Sequence, residues 1–198
     1  IKNKNVLEIC AAPGGKTCQM LSKGAFVTAV DKSTDRINLL KKNIARLNLG
    51  SKLILVNQDA LNLKISTMQD IILLDVPCSA TGTIKRNPDI LWHKSPKDIY
   101  NITSLQKSLL QKSINLAKKD SIIVYSNCSL EFEEGEELIY EFIKDGKVEV
   151  LEISEEEIKG YPNSILKNGI IRTLPFMYDK KGGMDGFFVA RLKKISHN

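Results

Sequence analysis

The sequence predicts an α/β fold, a mostly parallel sheet with helices on both faces. Three observations predict it. Short apolar, β-rich runs alternate along the chain with segments of helical period. Residues 70–76 are continuously apolar through IILL, as a central parallel strand covered on both sides must be. Residues 10–16 put small residues and two glycines directly after the first strand, where such sheets place a ligand loop.

Residues 6–10 (VLEIC) form the first short strand, and residues 16–22 start a helix after the Gly-Gly turn. Phe26–Asp31 is the second strand. Thr34–Leu47 is a helix, because Ile37, Leu40, Ile44 and Leu47 recur at helical spacing with Lys41, Lys42 and Arg46 between them. Residues 52–58 and 70–76 are the third and fourth strands. Residues 98–118 read as one long helix, 121–126 as a fifth strand, 131–143 as a helix and 148–153 as a sixth strand. Residues 186–192 (GFFVARL) close the pattern as an edge strand or hairpin. Residues 154–173 are polar and irregular, a surface excursion. One domain covers residues 1–198, with no internal repeat or low-complexity stretch. The loops after Cys10, Asp31, Gln58, Val76 and Ser126 then share one rim, at the carboxyl ends of the strands.

Composition narrows the function classes. Hydrophobic residues make up 42% and charged residues 26%, enough core to fold and too little net charge for disorder. The net charge of +6 favours a polyanionic partner. Four cysteines without CxxC spacing and only two histidines argue against a metal site. Cysteines beside apolar strands indicate reduced thiols and a cytoplasmic setting. No apolar run approaches the ~20 residues that span a membrane. A monomer is expected.

The rim carries two constellations. In the first, Cys10, Ala11, Ala12, Pro13, Gly14, Gly15 and Lys16 (CAAPGGK) let a ligand approach the backbone and the free N–H groups of the next helix. This is neither GxGxxG nor a Walker loop, so dinucleotides and triphosphates are not implied. Asp31, ending the second strand, is suited to ribose hydroxyls, and Asp59, after the third, to an adenine amino group. Glu8, inside the first strand, is either a buried partner or a substrate-side contact. A Gly loop and two acids on successive strand ends, without a phosphate cradle, point to S-adenosylmethionine, leaving S-adenosylhomocysteine as product.

In the second constellation, DVPCSATG after the fourth strand and YSNCSL after the fifth put Cys78 and Cys128 on adjacent loops. Carbon 5 of cytosine is too weak a nucleophile to take a methyl group from a sulfonium. A thiolate adding to carbon 6 makes carbon 5 an enamine carbon that can. Asp75 is the candidate acid or hydrogen-bond donor at ring nitrogen 3. Lys16, Lys85 and Arg86 are expected to lower a thiol pKa. On these physical grounds the two cysteines are symmetric candidates for the attack.

The strings LEICAAPGGKT, LLDVPCSATGTIKRNPDILW, YSNCSLEFEE and DGFFVARL resemble the signature blocks of RNA cytosine-5 methyltransferases of the Nop/Sun type. Residues 84–110 most resemble the bacterial RsmB branch, which acts on 16S ribosomal RNA. The blocks span residues 6–192 in family order. The resemblance implies a Rossmann-like S-adenosylmethionine-dependent methyltransferase fold. It also implies cofactor contacts from residues 10–16, Asp31, Arg36, Asp59 and Asp75. It breaks the symmetry of the thiols: Cys128 is the nucleophile, and Cys78 assists release of the product. The sequence departs from the family pattern at Glu8, where Asp is usual, and at Asn127, where Thr is usual. The family's amino-terminal RNA-binding region is expected to be absent.

Lys85, Arg86 and Trp92, with His93 and Lys94, form an expected RNA-facing cluster, the cations for phosphates and the indole for a base. Arg172, Lys193 and Lys194 are further phosphate candidates, and Cys18 is a helix-packing residue. Two alternatives use the same residues: a DNA cytosine-5 methyltransferase, with Cys78 as nucleophile, and a non-catalytic RNA-binding or assembly domain that keeps the cofactor fold.

Overall fold

Five parallel strands form the scaffold: β1 (Asn5–Ile9), β2 (Phe26–Asp31), β3 (Leu53–Asn57), β4 (Gln69–Asp75) and β5 (Ala117–Asn127). The computed structural model describes residues 1–65, 67, 69–166 and 168–195. The sheet order is β3-β2-β1-β4-β5-β8-β6, where β6 is Val148–Val150 and β8 is Phe187–Lys194. The order reverses between β1 and β4, and the ligand rim falls at that switch point.

Alternation along β1 sorts the two faces. Leu7 and Ile9 join one buried cluster with Leu109, Leu110 and Ile114 of α4 (Pro96–Leu116) and with Leu138, Ile139 and Phe142 of α5 (Glu136–Lys144). Val6 joins the other with Cys18 and Leu21 of α1 (Gly15–Ser22) and Leu40 and Ile44 of α2 (Thr34–Leu47). Ile37, Leu40 and Ile44 of α2 are buried as their spacing predicts, each worth about 1.5–3 kcal/mol when removed from water. A short helix, α3 (Ile90–His93), precedes α4.

Several predicted elements differ from the structure. Helix α4 starts at Pro96 rather than residue 98, because Ser95 and Asp98 form a capping box around a first-turn proline. It ends at Leu116, and β5 begins at once; a register shift between Gln69 and Ile71 of the β4 pairing absorbs the extra residues. Helix α5 begins at Glu136 rather than 131, because Glu134 turns inward and Gly135 leaves helical geometry (φ −124, ψ −99). Residues 186–192 are no edge: β8 runs antiparallel between β5 on one side and, on the other, β6 and a further strand at residues 171–173, and its Phe188 and Leu192 are fully buried.

The excursion at 154–173, within which residue 167 lies outside the described set, ends in a strand. This β7 (Ile171–Thr173) pairs with the first half of β8, while β6 pairs with its last residues. The predicted strand at 148–153 is shortened to three residues by that sharing.

Candidate active site

The CAAPGGK turn is built by its neighbours. Cys10 takes a left-handed conformation (φ 62), strained for a residue with a Cβ. Gly14 is also left-handed (φ 97), and a Cβ there would lie 2.7 Å from Leu40 Cγ, so helix packing requires glycine. Asp31 receives the Ala12 N–H at 3.2 Å and the Ser33 N–H at 3.0 Å, joining the β1 and β2 loops. The Arg36 guanidinium donates to the Ala12 carbonyl and sits 3.7 Å from Asp31, and Asn43 donates to the Pro13 carbonyl at 2.9 Å.

Beside this turn lies a cavity of about 240 Å³. Cys10, Asp31, Arg36, Asp59 and Asp75 all line it, with Leu105 and Leu109 of α4 as an apolar wall. Ala11, Ala12 and Gly14 are instead buried under the turn, and Pro13, Gly15 and Lys16 are exposed on its outer curve; none of the six lines the cavity. Asp59 also accepts the Leu61 N–H at 2.9 Å and so caps a 3-10 turn. Burial and the Asp31 charge push the Cys10 thiol up to about 11, so it stays protonated. Glu8 is a buried partner: it accepts the Thr17 hydroxyl of α1, and burial raises its carboxyl to about 7.

Asp75 ends β4 at the cavity's edge. It accepts from the Lys16 ammonium at 2.6 Å and from the Ser126 hydroxyl at 2.8 Å. Parallel pairing of Asp75 with Ser126 puts the next residues of β4 and β5 side by side. Three residues past Asp75 and two past Ser126, the Sγ atoms of Cys78 and Cys128 stand 3.3 Å apart. All four cysteines are free thiols.

The contact makes the two thiols unequal. The sulfur–sulfur hydrogen bond holds the Cys128 thiol below its ordinary value, and the same contact, with burial, pushes Cys78 up. Cys128 therefore ionises first, with Cys78 as its donor. Of the cations expected to act here, Arg86 does interact with Cys128, although it also makes a two-pronged pair with Asp185, whereas Lys16 is paired with Asp75 and Lys85 donates to the Gly182 carbonyl.

A buried polar network behind the thiols was not foreseen in the sequence. Ser79 and Ser129, the residues after the two cysteines, share a hydrogen bond of 2.9 Å, and both donate to Glu134. Asn127 donates to the Glu134 carbonyl at 2.7 Å and accepts the Ser129 N–H at 2.9 Å. Gly82 donates to the Cys128 carbonyl at 2.9 Å and accepts from Gly186 at 2.7 Å. The signal for Gly82 was the glycine itself, in SATG: any Cβ there would run into the Gly186 carbonyl and come within 2.7 Å of the Cys128 carbonyl.

Of the RNA-facing cluster, Trp92 is 87% exposed, and Lys85 and Arg86 are exposed but engaged as described. The further phosphate candidates are corrected. Arg172 is buried, pairs with Glu136, donates to the Ser129 carbonyl at 2.6 Å and lies over the Phe188 ring. Lys193 pairs with Asp120 and Glu149, and buried Lys194 donates to the Ala117 carbonyl, at the opposite end of the sheet from the thiols. Cys18 packs in the core as expected. Among the described residues no group of three or more His, Cys, Asp or Glu is gathered to hold a metal ion, and no helix is long and apolar enough to cross a membrane.

This sheet order, with a cavity at its switch point, defines a Rossmann-like methyltransferase fold. Solved structures share it, two of them from one organism. NSun6 from Pyrococcus horikoshii aligns with a TM-score of 0.81 at 28% identity, over 98% of this chain and 48% of its own. A methyltransferase homolog protein from Pyrococcus horikoshii aligns with a TM-score of 0.79 at 30% identity, over 98% and 62%. The chain belongs to the 16S rRNA methyltransferase RsmB/F family, whose pattern matches residues 1–193. It is 37% identical over 202 residues to ribosomal RNA small subunit methyltransferase B of Pasteurella multocida (strain Pm70), covering 96% of this chain and 42% of that protein. The chain thus spans less than half the length of the curated relatives it matches.

Proposed function

We propose that this chain is the catalytic domain of an enzyme that methylates carbon 5 of cytosine in small-subunit ribosomal RNA, with S-adenosylmethionine as methyl donor. The observation that carries the reading is the thiol pair at 3.3 Å beside a three-carboxylate cavity.

The cavity suits an adenosine-bearing molecule. Asp31 keeps lone pairs for ribose hydroxyls beyond the two N–H groups it already accepts. Asp59 would accept from an adenine amino group, and Leu105 and Leu109 would offer the base an apolar wall. Arg36 and residues 10–16 hold the loop around the ligand. S-adenosylmethionine, when bound, supplies an electrophilic methyl group.

The chain's own residues divide the rest. The Cys128 thiolate adds to carbon 6 of a cytosine turned out of its stack, leaving carbon 5 nucleophilic. Asp75, with the Lys16 ammonium at 2.6 Å as proton source, hydrogen-bonds ring nitrogen 3 as charge develops there. Once carbon 5 carries the methyl group, its proton leaves to a base. The electrons of that C–H bond then restore the ring double bond and expel the Cys128 thiolate, and Cys78 assists this release. Trp92, Lys85 and Arg86 contact the flanking RNA.

Covalent trapping tests the reading. RNA containing 5-azacytosine should give a denaturation-resistant adduct that Cys128→Ala removes. With ordinary cytosine RNA, Cys78→Ala should let an adduct accumulate. An adduct with DNA that depends on Cys78 instead supports the DNA-methylating alternative. Cofactor binding without any adduct supports the non-catalytic one.

A further inference from the structure

The two cysteines sit on loops from different strands, yet their sulfurs are in contact. Beside the direct Ser79–Ser129 and Gly82–Cys128 bonds, one side chain reaches both loops: Glu134, fully buried just before α5. Its carboxylate accepts the Ser79 N–H at 3.0 Å, the Ser129 hydroxyl at 2.7 Å and the Gln106 amide at 2.7 Å. Ser79 follows Cys78, and Ser129 follows Cys128. Gln106 also donates to the carbonyl of Pro77, the residue before Cys78, at 2.9 Å. The Glu134 carbonyl in turn accepts from the Tyr125 hydroxyl and from Asn127, both at 2.7 Å, and both on β5.

Three donors converge on the carboxylate, and each is neutral. A buried charge held by neutral donors alone is costly to desolvate. A carboxamide of the same size would have to turn its own N–H groups on one of those donors. The all-acceptor head is therefore what this junction needs. We propose that Glu134 is a positioning residue for the thiol pair, pinning the residue after each cysteine and thereby setting the separation of the two sulfurs. The proposal rests on the roles given to the two thiols above.

Position and charge have opposite signs here, which makes the idea testable. The groups acting on Cys128 are the Cys78 S–H and the charges of Asp75, Glu134 and Arg86. The Cys78 contact lowers the Cys128 thiol, whereas the Glu134 charge raises it. If Glu134 positions the pair, Glu134→Gln breaks the sulfur contact and moves Cys128 up. If Glu134 acts by charge alone, the same change moves Cys128 down.

The experiment uses the full chain and no RNA. The pH dependence of Cys128 alkylation by iodoacetamide is followed on its peptide by mass spectrometry. In parallel, binding of phenylarsine oxide reports whether two thiols are close enough to be bridged by one arsenic, with Cys78→Ala as control. Glu134→Gln is expected to move the alkylation midpoint to higher pH and to weaken arsenical binding about tenfold, the loss of one charge-assisted hydrogen bond. Ser129→Ala removes one donor and keeps the charge; it should shift both readings the same way, about threefold in binding. It carries the test alone if Glu134→Gln does not fold. A midpoint that moves down, or arsenical binding that is unchanged in both variants, overturns the proposal. Because neither reading involves RNA, a chain that shows these shifts but traps no cytosine loses the catalytic assignment and keeps the clamp.

Discussion

The sulfurs of Cys78 and Cys128 meet at 3.3 Å, and the hydrogen bond between them lowers the Cys128 thiol while it raises that of Cys78. A lowered thiol pKa means thiolate at lower pH, so Cys128 should alkylate at a pH below that of an ordinary cysteine. Cys78→Ala removes the largest cause of the lowering and should move the Cys128 midpoint upward. Peptide-level alkylation rates across pH check this; a midpoint that stays or falls contradicts it.

Glu8 should make stability fall as pH rises. Its carboxyl titrates near 4.5 when unperturbed and near 7 in the fold, where burial outweighs the Thr17 hydrogen bond. The folded state is then favoured fully below about pH 4.5, loses ground up to about pH 7, and levels off above. The loss amounts to no more than about 3 kcal/mol. Glu8→Gln keeps an acceptor for Thr17 and cannot ionise. Its Tm should exceed that of the parent at about pH 8 and match it at about pH 4.

Gly82→Ala should be severe. Its methyl group would strike the Gly186 carbonyl and crowd the Cys128 carbonyl, both of them backbone atoms that cannot step aside. A loss of about 3 kcal/mol or more is expected in urea unfolding. Gly15→Ala is the contrast. A Cβ there meets nothing within 4 Å, and the residue opens α1, so stability should hold or rise by up to about 1 kcal/mol.

Trp92 is the chain's single tryptophan and 87% exposed, so its fluorescence reports whatever covers it. Quenching by single-stranded RNA is expected. Trp92→Ala should weaken RNA binding by about 1–3 kcal/mol while leaving Tm and S-adenosylhomocysteine affinity unchanged. RNA affinity equal to that of the parent, measured by filter binding, would remove Trp92 from the interface.

Much of this was legible because it is local. The 3.6-residue spacing of Ile37, Leu40 and Ile44, the apolar run of β4, and two cysteines a fixed step past neighbouring strands can all be read one segment at a time. The capping box of Ser95 and Asp98 was equally local and would have placed the start of α4 correctly. Glu134 was not legible: it sits in the acidic run EFEEGEE, where charge pattern alone cannot tell the one fully buried carboxylate from its more exposed neighbours. Arg172 was hidden likewise, because its partner Glu136 lies 36 residues away. The place of β8 depends on which strands claim its two edges, a long-range choice with no signature in residues 186–192.

That strand has a consequence for biosynthesis. Residues 187–194 fill a slot between segments made much earlier, and neighbouring Gly186 latches the loop that bears the first thiol. On a ribosome the nascent chain would therefore carry both cysteines, yet hold them without their final brace, until the last strand had cleared the exit tunnel. Reactivity at the paired sulfurs should appear only once residues 187–194 are available to pair, in a single step.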